Sequence, residues 1–511
     1  MAARGCKTGK AGVQEKCSLA GDARIGASGL DEILGGGLGR GRLYLLEGEP
    51  GAGKTTVALQ FLIAGAEAGE RSLYVSLSET ELELRDGAAS HGWELDESIV
   101  VRELVPPESL LDHDQQQSLV YASEIELGET MQKLFAMIEE LQPDRVVLDS
   151  LSELRLLAQG SLRYRRQILA LKHYFARRNA TVLMLDDLTS EALDKTVHSI
   201  AHAVVRLEQL APEYGAERRR LRVLKYRGRA FRGGFHDFVI RREGVVVFPR
   251  LVAVERRSAI ERHVRSSGLD AFDSLLGGGI EAGTSTLLLG PSGAGKSLIA
   301  VQFIAAAVAR GEKVALYVFD EEIGLLFQRT LAIGIDLRAM QRRGDLLIEQ
   351  VDAAELSPGE FAHRVTSAVD REGIGMVVVD SITGYQLAMP EEHSLVLHLH
   401  ELLLSLNRRG ATTIATLAQA GLVGDMKSSI DITYIADTVV LLRYFEAAGE
   451  VRRAISVIKK RAGHHESAIR ELRFGGEGLT IGSMLRDFQG VLRGAPRFVG
   501  RDDALLVSSQ R

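Results

Sequence analysis

The stretch GEPGAGKT, Gly48 to Thr55, has the residue types and spacing of a loop that wraps phosphate, and GPSGAGKS, Gly290 to Ser297, repeats that spacing. Both satisfy GxxxxGK followed by a hydroxyl residue, after an apolar run and before an amphipathic one. Glycines let a backbone turn its N–H groups toward an anion, and the start of the following helix adds partial positive charge. The candidate nucleotide contacts are Gly48, Gly51, Ala52, Gly53, Lys54, Thr55 and Thr56, then Gly290, Gly293, Ala294, Gly295, Lys296, Ser297 and Leu298. Each lysine would reach the β- and γ-phosphates of ATP, and Thr55 or Ser297 would offer a hydroxyl to Mg2+.

A metal on a nucleotide also needs a carboxylate. Asp149 closes VVLD and Asp380 closes VVVD, each where a parallel strand delivers its last side chain to a nucleotide cleft. An aspartate after a strand is elsewhere most often a helix cap; the upstream loop favours the metal role here. Hydrolysis further needs a group that orients water. LYVFDEE offers Glu321 and Glu322, and LYVSLSET offers Glu79, with Ser78 read as standing opposite Glu321. On that alignment the loops are alike for binding and unlike for chemistry, with slow hydrolysis expected in the first half.

These groups need a scaffold, and the chain supplies one twice. SGLDEILGGG from Ser28 returns as SGLDAFDSLLGGG from Ser267, and RVVLDS from Arg145 as MVVVDS from Met376. VLKYRG from Val223 returns as VIKKRA from Val457, and the loop lysines are separated by 242 residues. A period that long means whole duplicated domains rather than solenoid units. Short runs such as RLYLLEG and ATVLMLD lack polar alternation, as strands buried on both faces do. With amphipathic stretches between them, they predict an α/β fold: two tandem RecA-like P-loop domains, each a mainly parallel sheet flanked by helices. The expected organisation is a polar lead over 1–17, domains over 18–250 and 251–490, and a tail over 491–511.

Composition is globular, with 511 residues, 45% hydrophobic, 25% charged and a formal net charge of −6. The acidic total weighs against a constitutive nucleic-acid binder. Two cysteines, Cys6 and Cys17, give no disulfide framework. The lead has no apolar core of a secretory signal, and no run approaches the roughly 20 apolar residues of a membrane helix. These features predict a cytoplasmic protein without a membrane partner.

With SGLDxxLGGG, both loops, the glutamate pair, VVVDS and the late KxR strands in view, the sequence resembles the KaiC family of RecA-like ATPases over roughly residues 18–495. Ala436–Phe474 resembles the second domain of the family's clock ATPase most specifically. The resemblance implies a double-ring homo-hexamer with ATP between neighbouring subunits, an arrangement that head-to-tail contacts generate. It implies that Lys225 and Arg227 in one ring, and Lys459 and Arg461 in the other, reach the neighbour's γ-phosphate. It implies an ATPase first ring and a second ring that phosphorylates itself. The family's paired Ser/Thr acceptors map to Thr433 and Tyr434, so Thr433 is the phosphoacceptor candidate.

Three readings stay open on the sequence. One is a hexameric ATPase with serine/threonine autokinase activity, acting as a timing or signalling switch read by an unidentified protein partner. Another is a nucleotide-gated scaffold without kinase activity. The third is a DNA-handling RecA relative, encouraged only by basic stretches such as ERRRLRVLKYRGRAFRGG.

Overall fold

The computed structural model describes residues 21–104, 119–158, 160–188, 196–212, 215–253, 263–387, 392–421, 427–428, 432–447, 449–475, 478–493 and 497–499. The lead with its two cysteines, and all of the tail but 491–493 and 497–499, lie outside them. The chain forms two compact units, one ending at Arg250 and the other continuing from Leu251, with Tyr214–Ala216 counted in the second.

In the first unit the strands are β1 (Leu43–Gly48), β2 (Ser72–Ser76), β3 (Ile99–Glu103), β4 (Arg145–Asp149), β5 (Thr181–Asp187), β6 (Ala203–Leu210), β7 (Arg218–Tyr226), β8 (His236–Arg241) and β9 (Gly244–Phe248). They form one sheet in the order β3-β2-β4-β5-β1-β6-β7-β8-β9. The pairs from β3 to β6 are parallel, and those from β6 to β9 antiparallel. β1, β2 and β4 are buried at every position, which is why they read as continuous apolar runs. One apolar cluster centres on the helix Lys54–Glu67, and another carries Leu171 and Phe175 of the helix Ser161–Arg178.

The second unit opens with a small antiparallel pair, β10 (Val264–Arg265) and β11 (Ile280–Glu281). Its main strands are β12 (Ser285–Gly290), β13 (Val314–Val318), β14 (Leu346–Gln350), β15 (Met376–Asp380), β16 (Thr412–Ala420), β18 (Thr438–Ala447), β19 (Glu450–Lys460), β20 (Ile469–Gly475) and β21 (Gly478–Met484), with β17 (Lys427–Ser428) paired to β16. The order β14-β13-β15-β16-β12-β18-β19-β20-β21 copies the first sheet strand for strand.

The copies differ inside. Arg145, almost fully buried at the start of β4, pairs with Glu70 at 2.5 Å and lies over the Phe61 ring. β15 begins with Met376 at the equivalent place, so one core holds a satisfied ion pair where the other holds a thioether.

Candidate functional site

In the second domain the phosphate loop leaves β12 and the helix Lys296–Ala309 begins at Gly295, whose φ of 105° is left-handed. A Cβ at Gly295 would stand 2.2 Å from Phe474 Cζ, so both backbone and packing call for glycine. Lys296 curls back, buried, and its Nζ donates to the carbonyl oxygens of Gly290 at 3.0 Å and Pro291 at 2.8 Å. Burial holds its pKa below the ordinary lysine range, with Asp380 acting in the other direction.

A cavity of about 460 Å³ opens over this loop. Gly293, Gly295, Lys296, Ser297 and Leu298 line it on one side, and Glu321, Asp380, Thr416, Arg453 and Phe474 close the others. The Thr416 hydroxyl donates to Asp380 Oδ1 at 2.5 Å. Of the glutamate pair, only Glu321 lines the cavity; its carboxylate pairs with Arg329 at 2.7 Å, and burial raises its pKa. Glu322 instead caps the helix Ile323–Leu331, accepting from the N–H groups of Gly324 at 2.8 Å and Leu325 at 2.9 Å.

In the first domain Gly53 takes the same left-handed turn at φ 97°, and Ala52 and Lys54 are buried like Ala294 and Lys296. Lys54 Nζ donates to the carbonyl oxygens of Gly48 and Glu49, both at 2.9 Å, and pairs with Asp187 Oδ1 at 2.7 Å. Asp149 accepts from the Tyr74 hydroxyl at 2.5 Å, and the Thr55 side chain acts on the same hydroxyl, opposing the rise that burial gives its pKa. Tyr74 therefore stands between β2 and the strand-end aspartate, near the loop hydroxyl. Burial pushes the carboxyl of Asp149 up from its ordinary range.

Strand register corrects the alignment of Ser78. Ser76 pairs with Asp149 as Val318 pairs with Asp380, and the next backbone N–H, of Leu77 or Phe319, donates to that aspartate's carbonyl. Counting onward, Ser78 corresponds to Asp320, Glu79 to Glu321 and Thr80 to Glu322. The helix caps agree: Thr80 caps Glu81–Ser90 as Glu322 caps Ile323–Leu331. The leading glutamate is thus present in the first domain as Glu79, and Thr80 replaces the second. Burial raises the carboxyl of Glu79, Asp149 and Asp187 raise it further, and Lys54 opposes them. Both motifs open on LYV, and laying one LYV on the other puts the register one residue out.

The late cations lie elsewhere. Lys459 Nζ donates to the carbonyl oxygens of Thr433 at 2.8 Å and Ala436 at 2.7 Å, and Arg461 donates to that of Tyr434. In the first domain Lys225 donates to the carbonyl of His198, and Arg227 to that of Ser199. Neither Lys459 nor Arg461 lines the phosphate cavity. The half-buried Thr433 and exposed Tyr434 form a turn just before β18; Ser429 lies outside the described residues.

Asp187, Tyr74, Thr416, Arg329 and Arg453 were missed from sequence. Asp187 left one signal, the acidic ending of TVLMLDD. The basic stretch is engaged internally: Arg220 and Arg222 pair with Glu208, Arg219 with Glu217, Arg229 with Asp22 and Arg232 with Glu32. Among the described residues no helix is long and apolar enough to cross a membrane.

A loop of this geometry between the central strand and its helix, with an aspartate at the end of a nearby parallel strand, defines a P-loop nucleotide-binding domain of RecA type, present twice. A family model described as "ATPase: KaiC" matches residues 23–252 and again 265–485, and the chain belongs to that family of ATPases. It is 26% identical to circadian clock protein KaiC3 of Synechocystis sp. (strain PCC 6803), over 94% of this chain and 96% of that protein. It is 28% identical to the circadian clock oscillator protein KaiC of Thermostichus vulcanus and 27% to that of Synechococcus elongatus, each over 93% of this chain and 92% of the relative.

Proposed function

We propose that the chain is an ATP-driven switch in which both domains bind and hydrolyse Mg-ATP and the second also phosphorylates itself on Thr433. The observation that carries this reading is the convergence of Lys296, Ser297, Asp380 and Glu321 on one cavity. Lys54 and Lys296 bind the β- and γ-phosphates. Thr55 with Asp149, and Ser297 with Asp380, are suited to Mg2+ that also takes phosphate oxygens. Among the described residues no group of three His, Cys, Asp or Glu side chains is placed to hold a metal, which agrees with a metal that arrives with its nucleotide. Glu79 and Glu321 orient the attacking water; Glu322 is retained as a cap.

Lys225, Arg227, Lys459 and Arg461 serve the neighbouring subunit's nucleotide in a homo-hexameric double ring. Their support is where the second pair lies: outside its own phosphate cavity and braced on the turn that carries Thr433. A cation supplied across such a contact is worth about a thousandfold or more in phosphoryl transfer. In the kinase step the Thr433 hydroxyl oxygen bonds to the γ-phosphorus, ADP leaves, and the hydroxyl proton passes to a base. A cytoplasmic signalling protein would read the state. The internal pairing of the basic stretch favours this over a DNA-handling role.

The test is incubation with γ-labelled Mg-ATP, following free phosphate and protein-bound label in the native chain and in Thr433→Ala. Bound label that disappears in the variant supports the autokinase. Free phosphate without bound label leaves a nucleotide-gated switch or scaffold.

A further inference from the structure

Asp187 ends β5 directly beside Gly48, the first glycine of the first phosphate loop. In the second domain the residue beside Gly290 in the same register is Ala418, which lines the phosphate cavity. One loop therefore carries a carboxylate at its rim and the other a methyl group. That carboxylate sits 2.7 Å from Lys54 Nζ, the ammonium that the phosphates would engage; the lysine side chain is 9% exposed and the aspartate 29%. Lys296 reaches only carbonyl oxygens, so its ammonium has no ionic partner of this kind to give up among the described residues.

We propose that Asp187 is an intramolecular competitor of phosphate: it holds Lys54 in a closed ion pair that nucleotide must open, making the first site the weaker of the two. The inference rests on the reading of the first loop as an ATP site and adds the residue that sets its affinity. The carboxylate acts in two ways of the same sign. It occupies the lysine, and it leaves a negative charge beside incoming phosphates. A site that is competent only when the pair is open has its affinity reduced by the open fraction, so a pair closed nine-tenths of the time costs about tenfold. The first site then fills last and empties first as nucleotide falls, a graded response that identical loops would not give.

The experiment uses the full-length chain with one site silenced at a time and measures equilibrium binding of a fluorescent ADP and of Mg-ATP. In a Lys296→Ala background, Asp187→Ala and Asp187→Asn are expected to lower Kd at the first site about tenfold. Unchanged Kd overturns the proposal, and weaker binding shows a carboxylate that positions lysine or metal rather than competing. The reciprocal arm places Ala418→Asp in a Lys54→Ala background, where Kd at the second site is expected to rise about tenfold; no rise overturns the proposal. Absence of saturable binding in the Lys296→Ala background, with or without Asp187, sinks the first loop as a nucleotide site, and the Ala418→Asp arm then decides the competition alone.

Discussion

In the first domain the strand-end aspartate accepts a hydrogen bond from a tyrosine on β2, and in the second from a threonine on β16. The glutamate beyond β2 faces Lys54 and two aspartates, whereas the glutamate beyond β13 is paired with an arginine. The loops have the same backbone turn and the same buried lysine, bonded to the same carbonyl positions. Duplication has kept what would touch phosphate and changed what sets the charge around it. On the proposed reading, binding is the shared task of the two sites, and affinity and pH response are where they are expected to diverge.

The strongest way to break this comparison is to remove the shared lysine. Lys54→Ala and Lys296→Ala should each weaken nucleotide binding at their own site roughly a hundredfold, about 3 kcal/mol for a charge-assisted contact. Equilibrium dialysis should show occupancy falling by one site per chain in each variant. Occupancy unchanged in one of them would mean that its loop is ornamental.

The next test is sharper. Tyr74→Phe and Thr416→Val delete the donors that hold Asp149 and Asp380, each costing about 1–3 kcal/mol because the acceptor is a carboxylate, buried in Asp149 and half-buried in Asp380. Denaturant melts should show the loss in the domain that carries the substitution. A loss in both would argue that the domains unfold together.

A smaller effect concerns pH. Glu79 and Glu321 titrate above the usual glutamate value of 4.5, and a water-orienting carboxylate must be ionised. Phosphate release should therefore rise with pH through a limb lying above 4.5. Arg329 lowers the carboxyl of Glu321, so Arg329→Ala should move the second domain's limb upward and leave the first domain's in place. A downward move would contradict the pairing. Smallest is the cap: Thr80→Ala should cost about 1 kcal/mol of stability, seen as a lower Tm.

The scaffold was legible because β1, β4, β12 and β15 are buried on both faces and so are written as apolar runs. The loops were legible because glycine is needed where φ is left-handed and Phe474 or Ile240 stands against the turn. Across-sheet neighbours were not legible. Asp187 meets Lys54 only because β5 lies beside β1, a fact held in strand order rather than in local sequence. The Glu79 register slipped by one for a related reason: LYV precedes both SLSET and FDEE but does not occupy the same strand positions, and only pairing with β4 and β15 decides which residue is which. Arg145 was read as the head of an ordinary strand, since its partner Glu70 comes from a different turn.

The central claim, that both domains are equipped for hydrolysis, is tested most directly by phosphate release from Glu79→Gln, Glu321→Gln and the double variant under saturating Mg-ATP. Each single substitution is predicted to leave the other domain's turnover in place, and the double to fall at least about a hundredfold below the native chain. If Glu321→Gln alone removes all turnover, the first domain is inert and the account is wrong.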